Sequence, residues 1–500
     1  MKIILRIIQG IIILSPFVLL GWLFIVNFVP SGQAAKSFDF SAASPYVDHL
    51  VPQERVTGVM RENGKYFQQI LNEPVYFHVH LPSSFEKMVV GIEFMPNGQP
   101  FIEFGPLVNE ETWQSELRPL WNETLENLNW IVKEDNGTRL FQRRNAYQSV
   151  DDFLTNPPPI EEVAVYDYDL EVDYEPAGYA PTREYREYEL FLRGYHQFLT
   201  YIGAGEDIDF SFWFQDMNRG EGADPIVINL YADNEIIDSK IIPDGEIWRG
   251  FHEGSPTREV NFKKSGLEPG VYKIELNVPA DIFVRKIRTP QQKIVVVNTV
   301  FLGDEVGYQE NEKSTTLWTD ASYIVAETMH ADGTQELRTN GELFPISESH
   351  KEFYREFFAN ENLNEVFSPQ GDIKITGNGL FAWDKNLFFN PYPFKLDANS
   401  NLDAQKISYV ITGYEPAERR GDWYYHEEEF DLSVVPATGG TIKFSISAPG
   451  VSRRQANPAV SEVDLVFMRE PIGIENWHEV FSKYISKAIE KIFKLQESRN

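Results

Sequence analysis

The chain has 500 residues, of which 42% are hydrophobic and 14% aromatic, so it can build several cores; at roughly 150 residues per domain, about three domains are expected. Its 45 basic and 75 acidic residues give a formal net charge of −30, which argues against nucleic acid as a partner, because such proteins need a concentrated positive face. The sequence contains no cysteine, which excludes disulfides, thiolate metal sites and cysteine nucleophiles.

The amino-terminal region carries a long apolar run. Residues 7–29 include no ionisable side chain, and their number matches the roughly 20 residues with which a helix crosses a bilayer. Because Lys2 and Arg6 precede the run, the positive-inside rule places residues 1–6 in the cytoplasm. We expect a single-pass membrane protein, anchored in the lipid bilayer through this run with Trp22 inside it, whose bulk is extracytoplasmic. The alternative is a cleaved signal peptide, since small residues follow the run.

The rest of the chain is dominated by short aromatic and β-branched runs separated by Gly, Pro, Asn and Asp turns, which predicts a mainly β fold. We expect about three β-sandwich domains, of jelly-roll or immunoglobulin-like type, at 45–155, 186–310 and 311–470. The predicted strands include 75–81, 88–95, 100–105, 208–214, 226–231, 271–276 and 293–300. A further hairpin is predicted around Asn136-Gly137, the residue pair that a type I′ turn favours.

Other segments are expected to differ from this pattern. Residues 156–185 are predicted to be a linker, because the three prolines at 157–159 form a stiff spacer. The acidic residues that then alternate with tyrosines and valines suit a strand or an extended linker with one charged, solvated face. The spacing of phenylalanines predicts a short helix over 350–358, and the glycines of 376–379 predict a turn. Residues 474–495 predict an amphipathic helix that packs on the last sandwich, or alternatively contacts the membrane or mediates self-association.

Two loops carry oxygen-bearing side chains at alternate positions, the arrangement with which one loop supplies several ligands to Ca²⁺. The predicted calcium ligands are Asp216, Asn218, Gly220 and Asp224 in the first loop, and Asp397, Asn399, Asn401 and Asp403 in the second. The alternative is two polar β-turns, because Asn, Asp and Gly are the usual turn residues. His78 and His80 form a separate pair: they lie two apart on a predicted strand and so share a face, but no third metal ligand is identifiable from the sequence.

Two clusters of aromatic residues are candidates for a binding surface, since exposed rings on β-sandwiches can serve as platforms for sugars or protein partners. The predicted ligand-binding residues are Trp383, Phe388, Phe389, Tyr392, Trp423 and Tyr424. The alternative is ordinary core and edge packing.

The sequence lacks the motifs of familiar enzymes: it has no HExxH, no Gly-x-Ser-x-Gly elbow, no Walker loop and no GxGxxG. We therefore expect a non-enzymatic protein that binds or scaffolds a glycan or an envelope protein at the cell surface or in the envelope. The alternative is a membrane-tethered glycan-active hydrolase that uses a pair of carboxylates, since such a pair needs no fixed sequence spacing.

Overall fold

The structure is a computed structural model that describes residues 14–15, 31–109, 114–217, 224–243, 255–303, 313–329, 334–357 and 363–471. Most of the predicted anchor at 7–29 and all of the predicted helix at 474–495 lie outside these ranges. No helix within them has the length and hydrophobicity that crossing a bilayer requires.

The described residues are mainly in β-strands. The first eighteen strands are β1 (Gln33–Phe38), β2 (Met60–Glu62), β3 (Lys65–Gln69), β4 (Val75–His80), β5 (Lys87–Met95), β6 (Phe101–Asn109), β7 (Gln114–Ser115), β8 (Arg118–Asn122), β9 (Ile131–Asp135), β10 (Thr138–Gln142), β11 (Val163–Tyr166), β12 (Arg186–Tyr188), β13 (Leu192–Arg193), β14 (His196–Ile202), β15 (Ile208–Asp216), β16 (Ile226–Ala232), β17 (Glu235–Ile242) and β18 (Arg258–Lys264). The others are β19 (Gly270–Asn277), β20 (Ile282–Thr289), β21 (Ile294–Leu302), β22 (Thr315–Thr319), β23 (Tyr323–Thr328), β24 (Gln335–Thr339), β25 (Glu342–Ile346), β26 (Glu352–Glu356), β27 (Asn364–Ser368), β28 (Ile373–Ala382), β29 (Phe394–Lys395), β30 (Tyr409–Thr412), β31 (Glu418–Arg420), β32 (Trp423–Asp431), β33 (Thr441–Ser447) and β34 (Ala459–Met468).

Helices within the described ranges are short. They are α1 (Glu123–Glu126), α2 (Val150–Thr155) and α3 (Val451–Arg454), with 3-10 turns at Gln53–Arg55 and Ile160–Glu162. The first two begin at side-chain caps: Asn122 accepts a hydrogen bond from the Leu125 amide, and Ser149 accepts one from the Asp152 amide. These caps explain why each helix starts where it does.

The described chain forms two compact units, and unit 1 takes its residues from both ends, up to Asn129 and from Tyr414 onward. One of its sheets has the order β2-β3-β34-β5-β32-β31, with β1 also on β34; the other has the order β4-β33-β6-β7, with β8 on β6. Strand β4 alternates strictly between buried and half-buried residues, as a strand with one face on a core must. Phe104 on β6 packs edge-to-face on Phe430 of β32, with centroids 5.6 Å apart, so the two sheets share one core.

Unit 2 covers Trp130–Gly413 and contains two groups of strands. The larger group runs from β12 to β28 as one connected set of seventeen strands. Its first part joins its second where β21 pairs with β28, with Val300 opposite Ile375, and one hydrophobic cluster extends through both parts. The smaller group is a sheet of order β29-β11-β30-β10-β9, with α2 packed beside β9 and β10.

The predicted mainly β fold is confirmed for the described residues, but the strand pairing divides the chain differently from the predicted boundaries. Strands after residue 413, which fall in the predicted domain 311–470, pair with strands of the predicted domain 45–155. The predicted domains 186–310 and 311–470 also share a core across their boundary. Long-range antiparallel pairing leaves no local sequence signal, so a boundary drawn from local texture misses it.

Three local predictions are corrected by the structure. The segment predicted as a helix at 350–358 contains β26, which pairs with β23. The predicted turn at 376–379 lies inside β28. The predicted linker at 156–185 contains β11, whose four residues are all buried between β29 and β30. In each case pairing with a distant strand overrides the local pattern. The Asn136-Gly137 turn is as predicted, with φ of 48° and 80°.

Candidate ligand cleft and acidic cluster

A cleft of about 290 Å³ opens in unit 2. Its walls come from the turn between β22 and β23, from the segment leading to β29, and from the loop that precedes β30. The lining residues are Ile160, Glu161, Asp320, Ala321, Ser322, Phe357, Leu363, Asn364, Asn390, Tyr392, Phe394, Asn399, Ala404, Gln405, Lys406 and Ile407. The lining thus mixes amide, hydroxyl and charged groups with aromatic and aliphatic surface.

Asp320 holds one wall of the cleft in place. Its Oδ1 accepts a hydrogen bond from the Leu380 amide at 2.8 Å, and its Oδ2 accepts one from Asn390 Nδ2 at 2.6 Å. Burial raises the pKa of this carboxyl, although both hydrogen bonds act in the opposite direction. A Cβ at Gly379 would lie 2.4 Å from Asp320 Oδ1, so this glycine in β28 allows the close approach rather than making a turn.

Asp397 connects segments that line the cleft. Its Oδ2 accepts hydrogen bonds from Ser322 Oγ at 2.5 Å and Asn378 Nδ2 at 3.1 Å. Its Oδ1 accepts from the Asn399 amide at 2.8 Å and from Ser400 Oγ at 3.1 Å. Oδ2 therefore joins this loop to the turn between β22 and β23 and to β28, while Oδ1 stabilises the loop itself.

The other predicted calcium ligands of this second loop also serve the loop itself. Asn401 Oδ1 accepts hydrogen bonds from the amides of Asp403 and Ala404 at 3.2 and 3.1 Å. Asp403 pairs with Arg143 at 2.5 Å. These contacts are compatible with a polar turn, the alternative interpretation, and calcium binding by this loop stays a prediction.

Tyr392 is the predicted ligand-binding residue that lines the cleft. The residue is 51% exposed, and its amide donates a hydrogen bond to Asn390 Oδ1 at 2.9 Å, which orients the segment. Gln405 also lines the cleft, and its Oε1 accepts a hydrogen bond from the Asn401 amide at 3.0 Å. That bond leaves the Nε2 amino group of Gln405 available as a donor.

The other predicted aromatic residues pack within the protein. Phe389 is buried near Tyr174, Phe388 packs on the same cluster, and Trp383 contacts Tyr188 edge-to-face at 5.5 Å. In unit 1, Trp423 packs against Phe67 at 5.7 Å, and Tyr424 lies against Trp121 at 4.6 Å. Phe389 and Trp423 are buried and the other three are half-buried, so ligand binding by these five residues stays a prediction. Sequence alone could not distinguish them from Tyr392, because all six are aromatic residues in similar aromatic-rich stretches.

The first predicted calcium loop leads to a cluster of carboxylates. Asp216 and Asp224, at the two ends of this loop, lie with Asp281 so that one carboxylate oxygen from each is within 4.8 Å of the others. Asn218 and Gly220 lie outside the described residues. Asp281 is 8% exposed and precedes β20, which pairs with β15 so that Ile282 is opposite Asp216. The Met217 amide donates to the Asp281 carbonyl at 2.9 Å, which fixes the two segments together.

Asp281 was missed by the sequence analysis because the β15–β20 pairing that brings it to the loop joins segments far apart in the chain. A cluster of three carboxylates is the kind of hard-oxygen set that Ca²⁺ selects. Arg285 holds the two residues that flank Asp216, since its guanidinium donates to Gln215 Oε1 at 2.6 Å and contacts Met217 Sδ at 3.4 Å.

Comparison with known proteins adds little. No family model matches the chain, and no curated protein matches it. Solved structures with weak likeness include latent PorU from Porphyromonas gingivalis, at 9% identity, TM-score 0.17, covering 60% of this chain and 32% of that one. They also include infectious bursal disease virus, Gt strain, at 9% identity, TM-score 0.16, covering 96% and 99% of the respective chains. The chain thus spans about a third of PorU, and such scores carry no argument about fold or function.

Proposed function

We propose that this protein is a membrane-anchored, extracytoplasmic binding protein whose cleft in unit 2 takes a carbohydrate ligand. The observation that carries the proposal is the pairing of a half-exposed tyrosine ring, Tyr392, with an amide donor, Gln405, in one cleft. An aromatic face beside a few placed polar groups is how a concave site binds a ring that has both apolar and hydroxyl surfaces.

The size of the cleft and the net charge of the protein restrict the class of ligand. Its volume of about 290 Å³ is at the lower end of ligand pockets, which suits a terminal sugar unit better than a long chain. The strongly negative charge of the whole protein disfavours an anionic polysaccharide and favours a neutral one. If the ligand is instead a protein, it would bind on the outer surface of the sheets, and this protein would act as a scaffold.

The proposed cellular location of the protein is inferred from its amino-terminal sequence. The uncharged run at 7–29, preceded by Lys2 and Arg6, favours a single-pass anchor with the cleft outside the cytoplasm. Such a protein would present its cleft to envelope or surface glycans, while 474–495 would supply a second contact with the membrane or with another copy.

The experiment is thermal unfolding of the full chain in mild detergent against a panel of neutral and anionic polysaccharides. Binding to the native state raises stability by RT ln(1 + [L]/Kd), about 2.7 kcal/mol at a ligand concentration of 100 Kd. We expect a shift with at least one neutral glycan. No shift with any member of the panel would reject carbohydrate as the ligand.

We also propose that Asp216, Asp224 and Asp281 bind Ca²⁺, which would tie the loop after β15 to the turn before β20. Calcium is expected to raise the unfolding temperature of the full chain, and chelator should reverse the rise. Asp281→Asn should abolish the shift, because it removes one of the three charges. Asp397→Asn, in the second predicted loop, should keep it. A calcium shift that survives Asp281→Asn would place the ion elsewhere.

A second candidate function is glycan hydrolysis, because two carboxyls, Asp320 and Glu161, line the cleft and burial raises the pKa of the first. A general acid of a glycosidase needs such a raised pKa. The glycan that binds would be assayed for new reducing ends, and their absence would leave binding as the function.

A further inference from the structure

We propose that Asp48, His78 and His80 in unit 1 form a binding site for a transition-metal ion, with Zn²⁺ as the fitting occupant. Imidazole nitrogens favour Zn²⁺ over Ca²⁺, which prefers oxygen ligands, and a carboxylate oxygen also serves as a zinc ligand. The site is separate from the cleft in unit 2 and does not rest on the proposed carbohydrate function.

The backbone brings the three side chains to one face. The Asp48 amide donates to the His78 carbonyl at 3.1 Å, and the His80 amide donates to the Tyr46 carbonyl at 2.8 Å, so the segment containing Asp48 runs beside β4. Because Val79 points into the core and side chains alternate along a strand, both histidines point outward. Asp48 is the third ligand that sequence spacing could not identify.

Two of the three ligand pairs already lie at the spacing of neighbouring metal ligands, although the three groups do not yet converge on one point. His80 Nε2 lies 3.2 Å from Asp48 Oδ1, and His78 Nδ1 lies 3.4 Å from Asp48 Oδ2. Bonds of about 2.0–2.2 Å at tetrahedral angles put neighbouring nitrogen and oxygen ligands about 3.3 Å apart. When a ring nitrogen carries a proton, such a contact is a hydrogen bond to the carboxylate. When the nitrogen is unprotonated, a metal ion can take the place of that proton.

A second group orients one of the ligands. Thr441, opposite His80 on β33, has its Oγ1 3.1 Å from His80 Nδ1. When Nδ1 carries the proton it donates to this hydroxyl, and Nε2 is left with its lone pair directed toward Asp48. Metal-binding histidines usually have such a partner on the nitrogen that does not bind the metal.

The neighbourhood leaves room for an ion. The side chains of Asp48, His78 and His80 are 47%, 34% and 36% exposed, so the site is open to solvent. The two nitrogens face different oxygens of one carboxylate, and a shared ion requires the His78 ring to turn inward. Among the described residues, only Asp48 makes a polar contact with that ring. Lys443, the cross-strand neighbour of His78, places its ammonium over the Tyr76 ring at 4.1 Å.

The test is a zinc titration of the full chain, measured by calorimetry. The chain is purified without a polyhistidine tag and stripped of metal with a chelator. We expect one ion bound through this site. Affinity should fall at least about tenfold in each of His78→Gln, His80→Gln and Asp48→Asn, and about tenfold in Thr441→Val through loss of the orienting group. His350→Asn, which changes an exposed histidine of unit 2, should bind zinc as the wild type does.

A spectroscopic measurement on the wild-type chain tests the same site without relying on variants that must fold. Cobalt bound in the site should give the visible absorption of a four-coordinate ion with nitrogen ligands, and zinc should displace it while millimolar calcium should not. Absence of stoichiometric zinc binding by the wild type would overturn the proposal. Wild-type affinity in the double variant His78→Gln/His80→Gln would overturn it as well.

Discussion

At the scale of single residues, His196 shows how burial sets protonation in this protein. Its ring lies at the start of β14, where Nδ1 donates to the Gly194 carbonyl at 3.0 Å and Nε2 accepts from the Phe301 amide at 3.1 Å. Burial lowers the pKa of His196 to about 4, and the hydrogen bond to Gly194 opposes this only in part. The folded protein therefore keeps this imidazole neutral, and the two hydrogen bonds determine which nitrogen holds the proton.

This histidine makes the stability of unit 2 dependent on pH. The unfolded imidazole titrates near 6.5, so between pH 6.5 and 4 the unfolded state binds more protons than the native state. The contribution is present in full above pH 6.5 and is lost as the pH falls toward 4, by about 3 kcal/mol. Urea unfolding at a series of pH values measures it. His196→Gln, whose oxygen can accept from Phe301, should flatten the profile; an unchanged slope would contradict this assignment.

At the scale of elements, β11 is the strand that the sequence pattern describes least well. Local composition predicts a solvated linker there, because acidic residues and tyrosines surround Val163–Tyr166. The structure pairs these residues in parallel with β29 and β30 and buries all four. By contrast, β4 and the Asn136-Gly137 hairpin were predictable, since alternation and turn chemistry are local signals. Parallel partners that are distant in the chain give no such signal.

A matched pair of substitutions tests the position of β11. Val165 is 4% exposed, whereas Val132, on the edge strand β9 of the same sheet, is 37% exposed. Val165→Ala should lower the free energy of unfolding by about 1–3 kcal/mol, because it leaves a cavity in a packed site. Val132→Ala should cost clearly less. Equal effects, measured by urea unfolding, would mean that residues 156–185 are a linker after all.

At the scale of the whole molecule, unit 1 is built from both ends of the chain, with unit 2 inserted between them. Strand β5 lies between β34 and β32, so its two neighbours come from the carboxyl-terminal half of the sequence. The candidate sites depend on the same long-range pairing: Asp281 reaches Asp216 through β15 and β20, and Thr441 reaches His80 through β33. Residues in a local pattern were therefore predictable from the sequence, and their distant partners were not.

Because unit 2 is inserted within the sequence of unit 1, fragments of the chain should differ in their ability to fold. A fragment of residues 130–413 should unfold cooperatively on its own, because it contains every strand of unit 2. A fragment that ends at residue 129 should lack stable structure, since β5 would lose both of its neighbours. Circular dichroism during thermal unfolding distinguishes the two. Independent folding of residues 45–155 would instead favour the boundaries expected from sequence.

The affinity of matched tyrosine variants for the glycan that the panel identifies decides whether the cleft of unit 2 binds a carbohydrate. Tyr392 and Tyr195 are exposed to a similar degree, 51% and 48%, but only Tyr392 lines the cleft. We predict that Tyr392→Ala weakens binding by about tenfold or more, as loss of a contact of about 1.4 kcal/mol would, while Tyr195→Ala binds as the wild type does. Unchanged affinity in Tyr392→Ala would mean that the glycan does not bind in this cleft.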